Sequence, residues 1–342
     1  MTEAAPPGVE LPRLRAFLDR ALTRPTAGPL IAELISGGRS NLTYAVTDGA
    51  REWVLRRPPL GHVLATAHDM AREYRVLTAL AGTPVPVPAT YVLCADADVL
   101  GAPFYLMERV DGTVYRTAEQ TEGLGAARAA AISHDLIDVL AALHRVDPVR
   151  VGLDGFGRPE GFLERQVRRW QQQLAASRSR DIEGIDELSA TLAASIPATQ
   201  RPTIVHGDYK LDNVIIDDQD NVAAVVDWEM ATLGDPLCDL GLFNVYWDQG
   251  EAAAAVVFPV HPAAGFPPGS ELLSRYAAAS GLDLAPLSWY EALGCFKLAV
   301  ISEGIHYRFL QGQTVGEGFE TIGDMVAPLV AAGLARLAER QK

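Results

Sequence analysis

The sequence predicts an α+β chain of two lobes, a small β-rich lobe over residues 1–110 and a larger α-rich lobe over 111–342. Three observations carry that prediction. Short runs with strand periodicity, separated by turn residues, crowd the stretch before residue 110. Long apolar stripes at helical spacing take over after Gly112. The chain, at 342 residues, is also too long for one small core and suits two.

In order, Leu11 to Leu22 reads as an amphipathic helix, with Leu14, Leu18, Ala21 and Leu22 on one face. Strands follow at Ile31–Ile35, Leu42–Thr47 and Trp53–Arg56, the last two joined by an Asp48-Gly49 turn. The small-residue loop Ser36 to Asn41 lies between the first two, where backbone N–H groups could approach a phosphate; a plain turn is the alternative. Ala67 to Leu80 predicts a helix whose apolar stripe, Met70, Leu77 and Leu80, also holds Glu73. A carboxylate on a core-facing stripe is costly unless paired; a solvated helix edge is the alternative. Arg57, next to two prolines, is expected at the surface.

Pro84 to Pro88 is a stiff connector, and Tyr91–Cys94 and Phe104–Met107 are two further strands around the turn Ala95–Gly101. Met107 to Gly112 reads as the crossover between lobes. Helices are then expected over Ala126–Arg145, Phe162–Ser177, Leu287–Phe309 and Thr321–Leu337, with a loop over Asp248–Gly269. His144 reads as a packing residue at a helix end. The arginines 165, 168 and 169 beside Trp170, followed by 178 and 180, are either a solvated basic face or a landing site for an anionic substrate.

Composition excludes several functions. Hydrophobic residues make up 49% and charged residues 21%, ordinary for a globular enzyme. A formal net charge of −14 argues against broad binding to nucleic acid or anionic membrane. Cys94, Cys238 and Cys295 show no metal-binding spacing, and three is an odd number for a disulfide framework. With no signal-peptide pattern at the N-terminus and no apolar run long enough to span a bilayer, a cytoplasmic location is expected. Walker A, H-E-x-x-H and G-x-S-x-G patterns are absent.

The richest stretch runs from Thr203 to Asp239. Two β-rich runs, Val214–Ile216 and Val222–Val226, flank the polar segment Asp217 to Asn221 and read as a hairpin. Asn213 precedes the first and Asp227 follows the second, so pairing is expected to bring both to one end. Asp208 sits five residues ahead of Asn213, in His206-Gly207-Asp208, with Lys210 beside it. Phosphoryl transfer needs such groups: oxygen ligands for Mg²⁺, a carboxylate to orient the attacking hydroxyl, and a cation for the moving charge. The order H-G-D-x-x-x-x-N and then an isolated Asp follows the logic of a phosphotransferase catalytic loop. It makes Asp208 the base, Asn213 and Asp227 the metal ligands and Lys210 a phosphate partner. An Asp-rich surface hairpin is the alternative, and suits Asp217, Asp218 and Asp220.

At His206–Asn213, Val225–Glu229 and Asp235–Leu240 the sequence resembles the aminoglycoside phosphotransferase-like family, a branch of the protein-kinase-like fold. With its VLRRPP and HGDYKLDN stretches, it is most similar to a subgroup that includes the kinase-like domain of acyl-CoA dehydrogenase fusion proteins. The resemblance implies a bilobal protein-kinase-like fold and a transferase that uses ATP and Mg²⁺. It makes Ser36–Asn41 the nucleotide-covering loop, with Gly37, Gly38, Ser40 and Asn41 near the phosphates. Arg56 stands where relatives of this fold carry a lysine, and can still grip phosphate through two donors. Glu73 would be its helix partner, the Glu108 carbonyl and Val110 N–H would meet the adenine edge, and Asp235–Leu240 would brace the loop after Asp227. The expected activity is ATP-dependent phosphorylation of a small-molecule hydroxyl; the alternative is a nucleotide-binding regulator that no longer catalyses. An aminoglycoside and a hydroxyacyl-CoA both stay open as acceptors. No nucleic acid, membrane or obligate protein partner is expected.

Overall fold

The structure is a computed structural model describing residues 6–35, 41–60, 68–248, 265–314 and 318–339. The expected loop residues Gly37, Gly38 and Ser40, and most of the Asp248–Gly269 loop, lie outside the described residues. The chain forms two compact units, residues 1–112 together with Ala223–Ala231, and residues 113–222 together with 232–342.

The first unit is built on a five-stranded antiparallel sheet in the order β1-β2-β3-β5-β4. The strands are β1 (Ile31–Leu34), β2 (Leu42–Thr47), β3 (Glu52–Arg57), β4 (Thr90–Cys94) and β5 (Phe104–Glu108). Helix α1 (Leu11–Ala21) buries Leu14 and Leu18 in a core with Tyr44, Val46, Trp53, Leu55 and Phe104. Helix α2 (Met70–Leu80) starts at an Asp69 cap, whose carboxylate accepts the Arg72 N–H at 3.0 Å. A single helical turn, Ala97–Leu100, fills the turn before β5.

Because β3 is central, lying between β2 and β5, both of its faces are covered. This corrects the surface expectation for Arg57, which is only 4% exposed. Alternation places it opposite Arg56, where its guanidinium donates to the carbonyls of Gly8, Leu100 (2.8 Å) and Pro58 (3.2 Å). Three backbone acceptors meet the demand of a buried cation that has no carboxylate beside it in this set.

The segment Ala223–Ala231 belongs to this unit. The Val225 N–H reaches the Pro86 carbonyl at 2.8 Å, and the Arg72 guanidinium reaches the Ala231 carbonyl at 3.0 Å. Trp228 is buried, its indole N–H on the Val225 carbonyl.

The second unit is mainly helical: α5 (Gly125–Arg145), α6 (Phe162–Ser177), α7 (Ile185–Ala194), α8 (Pro236–Trp247), α9 (Gly269–Ser280), α10 (Leu287–Leu310) and α11 (Val326–Glu339). The short helix α4 (Ala118–Glu122) precedes them. The stripes expected from sequence are buried, Ile132, Leu136, Val139, Leu140 and Leu143 in α5 and Trp289, Leu293, Phe296 and Val300 in α10. The expected last helix is instead a single turn, Ile322–Met325, followed by α11. Helix α10 packs against α6, α7, α8 and α11. It comes so close to α8 that a Cβ at Gly241 would lie 2.7 Å from the Tyr290 backbone. Strands β6 (Thr203–Val205) and β9 (Thr232–Gly234) pair as a small sheet. The expected hairpin appears as β7 (Val214–Ile216), a turn closed by Asp217 N–H on the Asn221 carbonyl, and β8 (Val222–Val225).

Candidate active site

In the first unit a single cation gathers the site's carboxylates. Arg56, on β3, faces Tyr105 across the β3–β5 register. Its Nε lies 2.8 Å from a Glu73 carboxylate oxygen, and its terminal nitrogen bonds Asp227 and stands 4.0 Å from Glu229. Tyr105 donates to Glu73 at 2.9 Å, so two cross-strand neighbours converge on one helix carboxylate. Burial lowers the Arg56 pKa, but the pull of Glu73 and then Asp227 outweighs it and raises the value overall. Burial pushes Glu73 up to about 7, against the opposing pull of Arg56.

Asn41 was expected as a phosphate contact. The structure places it inside this network, 2% exposed, donating to Glu73 at 2.9 Å and to Glu229 at 3.0 Å. Its carbonyl oxygen meets His68 Nδ1 at 2.8 Å. Asp227 holds a left-handed backbone, φ 66°, at the mouth of the turn Trp228–Met230. For a residue other than glycine that conformation is uncommon and concentrates at functional sites. At the end of β5, Glu108 bonds Ala89 through both its backbone N–H (2.7 Å) and its carboxylate (3.0 Å), with half-buried Val110 two residues on.

In the second unit the charges are reversed: one carboxylate gathers cations and donors. Asp208 accepts from the Tyr246 hydroxyl at 2.8 Å and from the Asn213 amide at 3.1 Å, and Lys210 Nζ lies 3.3 Å away. Burial alone would raise its pKa; Lys210 and then Lys297, with the Tyr246 hydroxyl, reverse the sign and lower it. Lys210 is shared with Asp212 at 3.4 Å and sits 5.4 Å from the centre of the Tyr246 ring. Burial lowers the Lys210 pKa, but Asp208 and Asp212 together raise it.

The Asp235–Leu240 segment corrects another expectation. Asp239 braces the loop that carries Asp208, accepting the N–H of His206 at 2.6 Å and of Gly207 at 2.8 Å. The reason is its place in the first turn of α8, where a buried carboxylate needs donors and that loop supplies them. His144 is buried between Tyr276 (2.6 Å) and Asp239 (3.3 Å), a packing role as expected.

The basic set around α6 is largely spoken for. Arg178 pairs with Asp186 and Asp181, each at 3.0 Å, and Arg180 pairs with Glu303 at 3.1 Å. Arg165 donates to the carbonyls of Glu160 and Arg158, Arg169 lies 5.3 Å from the Trp170 ring centre, and Arg168 is exposed. Arg165, Arg168 and Arg169 are exposed at i, i+3 and i+4 on α6, so the helix itself keeps a basic face while the arginines of its flank are paired.

Sequence reading missed Tyr246, Lys297 and Glu229. Glu229 lies two residues beyond Asp227 and could have been noticed there. Lys297 also had a signal: it stands between Phe296 and Leu298 in an apolar helix, and the chain has only three lysines. Tyr246 had none, because only the folding of α8 onto the loop brings its hydroxyl to Asp208.

A two-lobed α+β chain with a strand cation paired to a helix glutamate, and an H-G-D-x-x-x-x-N loop, has the features of the kinase-like phosphotransferases as a class. The chain belongs to the phosphotransferase enzyme family, whose model matches residues 31–287. Among curated relatives, rat (Rattus norvegicus) acyl-CoA dehydrogenase family member 11 is 35% identical over 303 residues, covering 87% of this chain and 39% of that protein. The chain thus spans about two fifths of the length of the curated relatives it matches. A crystal structure from Ralstonia eutropha, described as a candidate aminoglycoside phosphotransferase, is 32% identical with a TM-score of 0.83, over 96% of this chain and 98% of that one. A thermostable mutant of aminoglycoside phosphotransferase APH(4)-Ia, solved with ADP and hygromycin B, shares the fold at 16% identity, TM-score 0.59, over 95% of this chain and 98% of that one. No helix among the described residues is long and apolar enough to cross a membrane.

Proposed function

We propose that the protein transfers the γ-phosphate of ATP to a hydroxyl of a small molecule, with Asp208 as the base. The observation that carries this reading is the setting of Asp208. Its carboxylate is kept ionised by Lys210 and the Tyr246 hydroxyl, on the loop that the family's motif assigns to the acceptor. The acceptor hydroxyl gives its proton to Asp208 as its oxygen bonds the γ-phosphorus, and the bond from that phosphorus to the bridging oxygen breaks to release ADP.

Lys210, the second charge at this carboxylate, offsets charge on the group in transfer. Arg56, locked by Glu73, grips the nucleotide phosphates, and Gly37, Gly38, Ser40 and Asn41 are the residues that the family resemblance assigns to the same task. The Glu108 carbonyl and Val110 N–H take the adenine edge. Asn213 and Asp227 are the residues that the family's motif assigns to Mg²⁺. The Asn213 amide nitrogen is committed to Asp208, leaving its oxygen as the donor, and hard cations take oxygen ligands. The ion, when bound, supplies neutralisation of charge on the phosphates. A catalytic cytoplasmic enzyme of this type needs no protein partner.

The test has two parts. Mg-ATP should raise the melting temperature of the wild-type protein, and a library of hydroxyl compounds should contain one that triggers ADP release. With that compound, Asp208→Ala and Asp227→Ala should each abolish turnover, and only Asp227→Ala should weaken Mg-ATP binding. Undiminished turnover in Asp208→Ala removes the base assignment, and no stabilisation by any nucleotide removes the reading as a whole.

A further inference from the structure

Only three of the chain's 29 basic residues are lysines, Lys210, Lys297 and Lys342. Arginine serves almost everywhere else, yet both lysines within the described residues reach the loop that carries Asp208, Lys210 at its carboxylate and Lys297 at the Gly207 carbonyl. Lys210 belongs to the motif. Lys297 comes from the middle of α10, 87 residues further along the chain, and no motif includes it.

The Nζ of Lys297 donates to the Gly207 carbonyl at 2.7 Å. That carbonyl belongs to the peptide linking Gly207 to Asp208, and the N–H of the same peptide points to His206 Nδ1 at 3.3 Å. One step back along the chain, Asp239 holds the N–H of Gly207 itself. Gly207 has a φ of 87°, a region open to glycine at little cost and one that leaves this backbone loose unless neighbours fix it. Lys297 is itself held, its ammonium 5.8 Å from the centre of the buried Trp170 ring. A charged group costs free energy in the partly buried wall of a helix, so its persistence there calls for a compensating contact.

We propose that Lys297 is a positioning residue for phosphoryl transfer, fixing the Gly207–Asp208 peptide so that the Asp208 carboxylate is presented in one orientation. The idea rests on the reading of Asp208 as the base. Its geometric part, that Lys297 immobilises this peptide, stands without that reading. A point donor on a long stem suits the task, because a single carbonyl oxygen has no use for the planar fork of an arginine. The other oxygen contacts of Asp208, from Tyr246, Asn213 and Lys210, then hold the side chain of a backbone already set.

The experiment compares wild type with Lys297→Met, Lys297→Gln and Lys297→Arg by hydrogen exchange of the 206–209 amides and by ADP release from Mg-ATP with an acceptor. In Lys297→Met the 206–209 amides should exchange about tenfold faster, as expected for loss of a charged hydrogen bond, with β3 unchanged. Its kcat should fall by roughly 10²-fold while KM for Mg-ATP moves by less than about threefold, since an ångström of misplacement costs on that order. Lys297→Arg, which keeps a charged donor, should recover most of both losses. If Lys297→Met fails to fold, Lys297→Gln, with a neutral donor, is read in the same way. Exchange at 206–209 equal to wild type, or faster exchange confined to α6 and α10, overturns the proposal, as does an unchanged kcat beside faster exchange. A wild-type protein that never releases ADP refutes the proposed function instead, and the exchange result still decides whether Lys297 fixes the peptide.

Discussion

The two units carry charge clusters of opposite design. In the first, one guanidinium, Arg56, serves Glu73 and Asp227, with Glu229 at 4.0 Å. In the second, one carboxylate, Asp208, is served by Lys210, the Tyr246 hydroxyl and the Asn213 amide, with Lys297 on the neighbouring Gly207 carbonyl. The first set has an excess of negative groups around a cation that cannot lose its proton. The second has an excess of donors around a carboxylate that could otherwise gain one. The difference separates a cation kept charged by its neighbours from a carboxylate kept ionised by its own. Losing the centre of the first should cost stability and, on the proposed reading, Mg-ATP binding as well, and losing the centre of the second should cost rate.

The largest expected effect lies in the second cluster. Asp208→Asn should lower kcat by about 10²–10⁴-fold, the range for a general base, with an unchanged urea midpoint. A large loss of stability there would break the contrast between the clusters. In the first cluster, Arg56→Met leaves Glu73 buried without its cation and should cost about 3–5 kcal/mol in urea unfolding. Adding Glu73→Gln should return part of that loss only above neutral pH, because burial already pushes the Glu73 carboxyl up to about 7 and without Arg56 it stays protonated below that.

A smaller effect sharpens the account of Asp208. Tyr246→Phe removes one donor to its ionised form, so its pKa should rise toward the ordinary range. The acid limb of kcat/KM should then move to higher pH; a shift to lower pH would contradict the role given to Tyr246. The smallest effect falls away from both clusters. Asp48 accepts the N–H groups of Ala27, Ala50 and Arg51 and the Arg51 guanidinium, which outweigh burial and hold its pKa well below the ordinary value. Asp48→Ala should cost about 1–3 kcal/mol near neutral pH. A depressed carboxyl stabilises only above its unfolded pKa of 3.8, so the gap between variant and wild type should close as pH falls through and below that value.

Much of this arrangement was legible in the sequence because it is local or periodic. Strand β2 was read to the residue, and β3, β5 and α5 to within one or two. The Arg56–Glu73 pair could be expected because a carboxylate on an apolar stripe needs a partner, and the family resemblance names the strand cation as that partner. Arg57 was misplaced because the sequence does not say that Pro7 and Gly8 fold back over β3. The bonds of Asn41 to Glu73 and Glu229 were not legible, because those partners lie 32 and 188 residues away.

What the sequence by itself determined was the inventory: the lobe order, the strands and helices, and the motif residues from His206 to Asn213 with Asp227. Each follows from a period or a spacing that short-range geometry enforces. Only the tertiary structure decided the company those residues keep. Tyr246 and Lys297 reach the Asp208 loop from α8 and α10, and Asp239 turns toward His206, because helix packing brings together side chains that no local rule relates. Whether a charge is a clamp or a reactive group depends on how many partners surround it, and those partners come from distant parts of the chain.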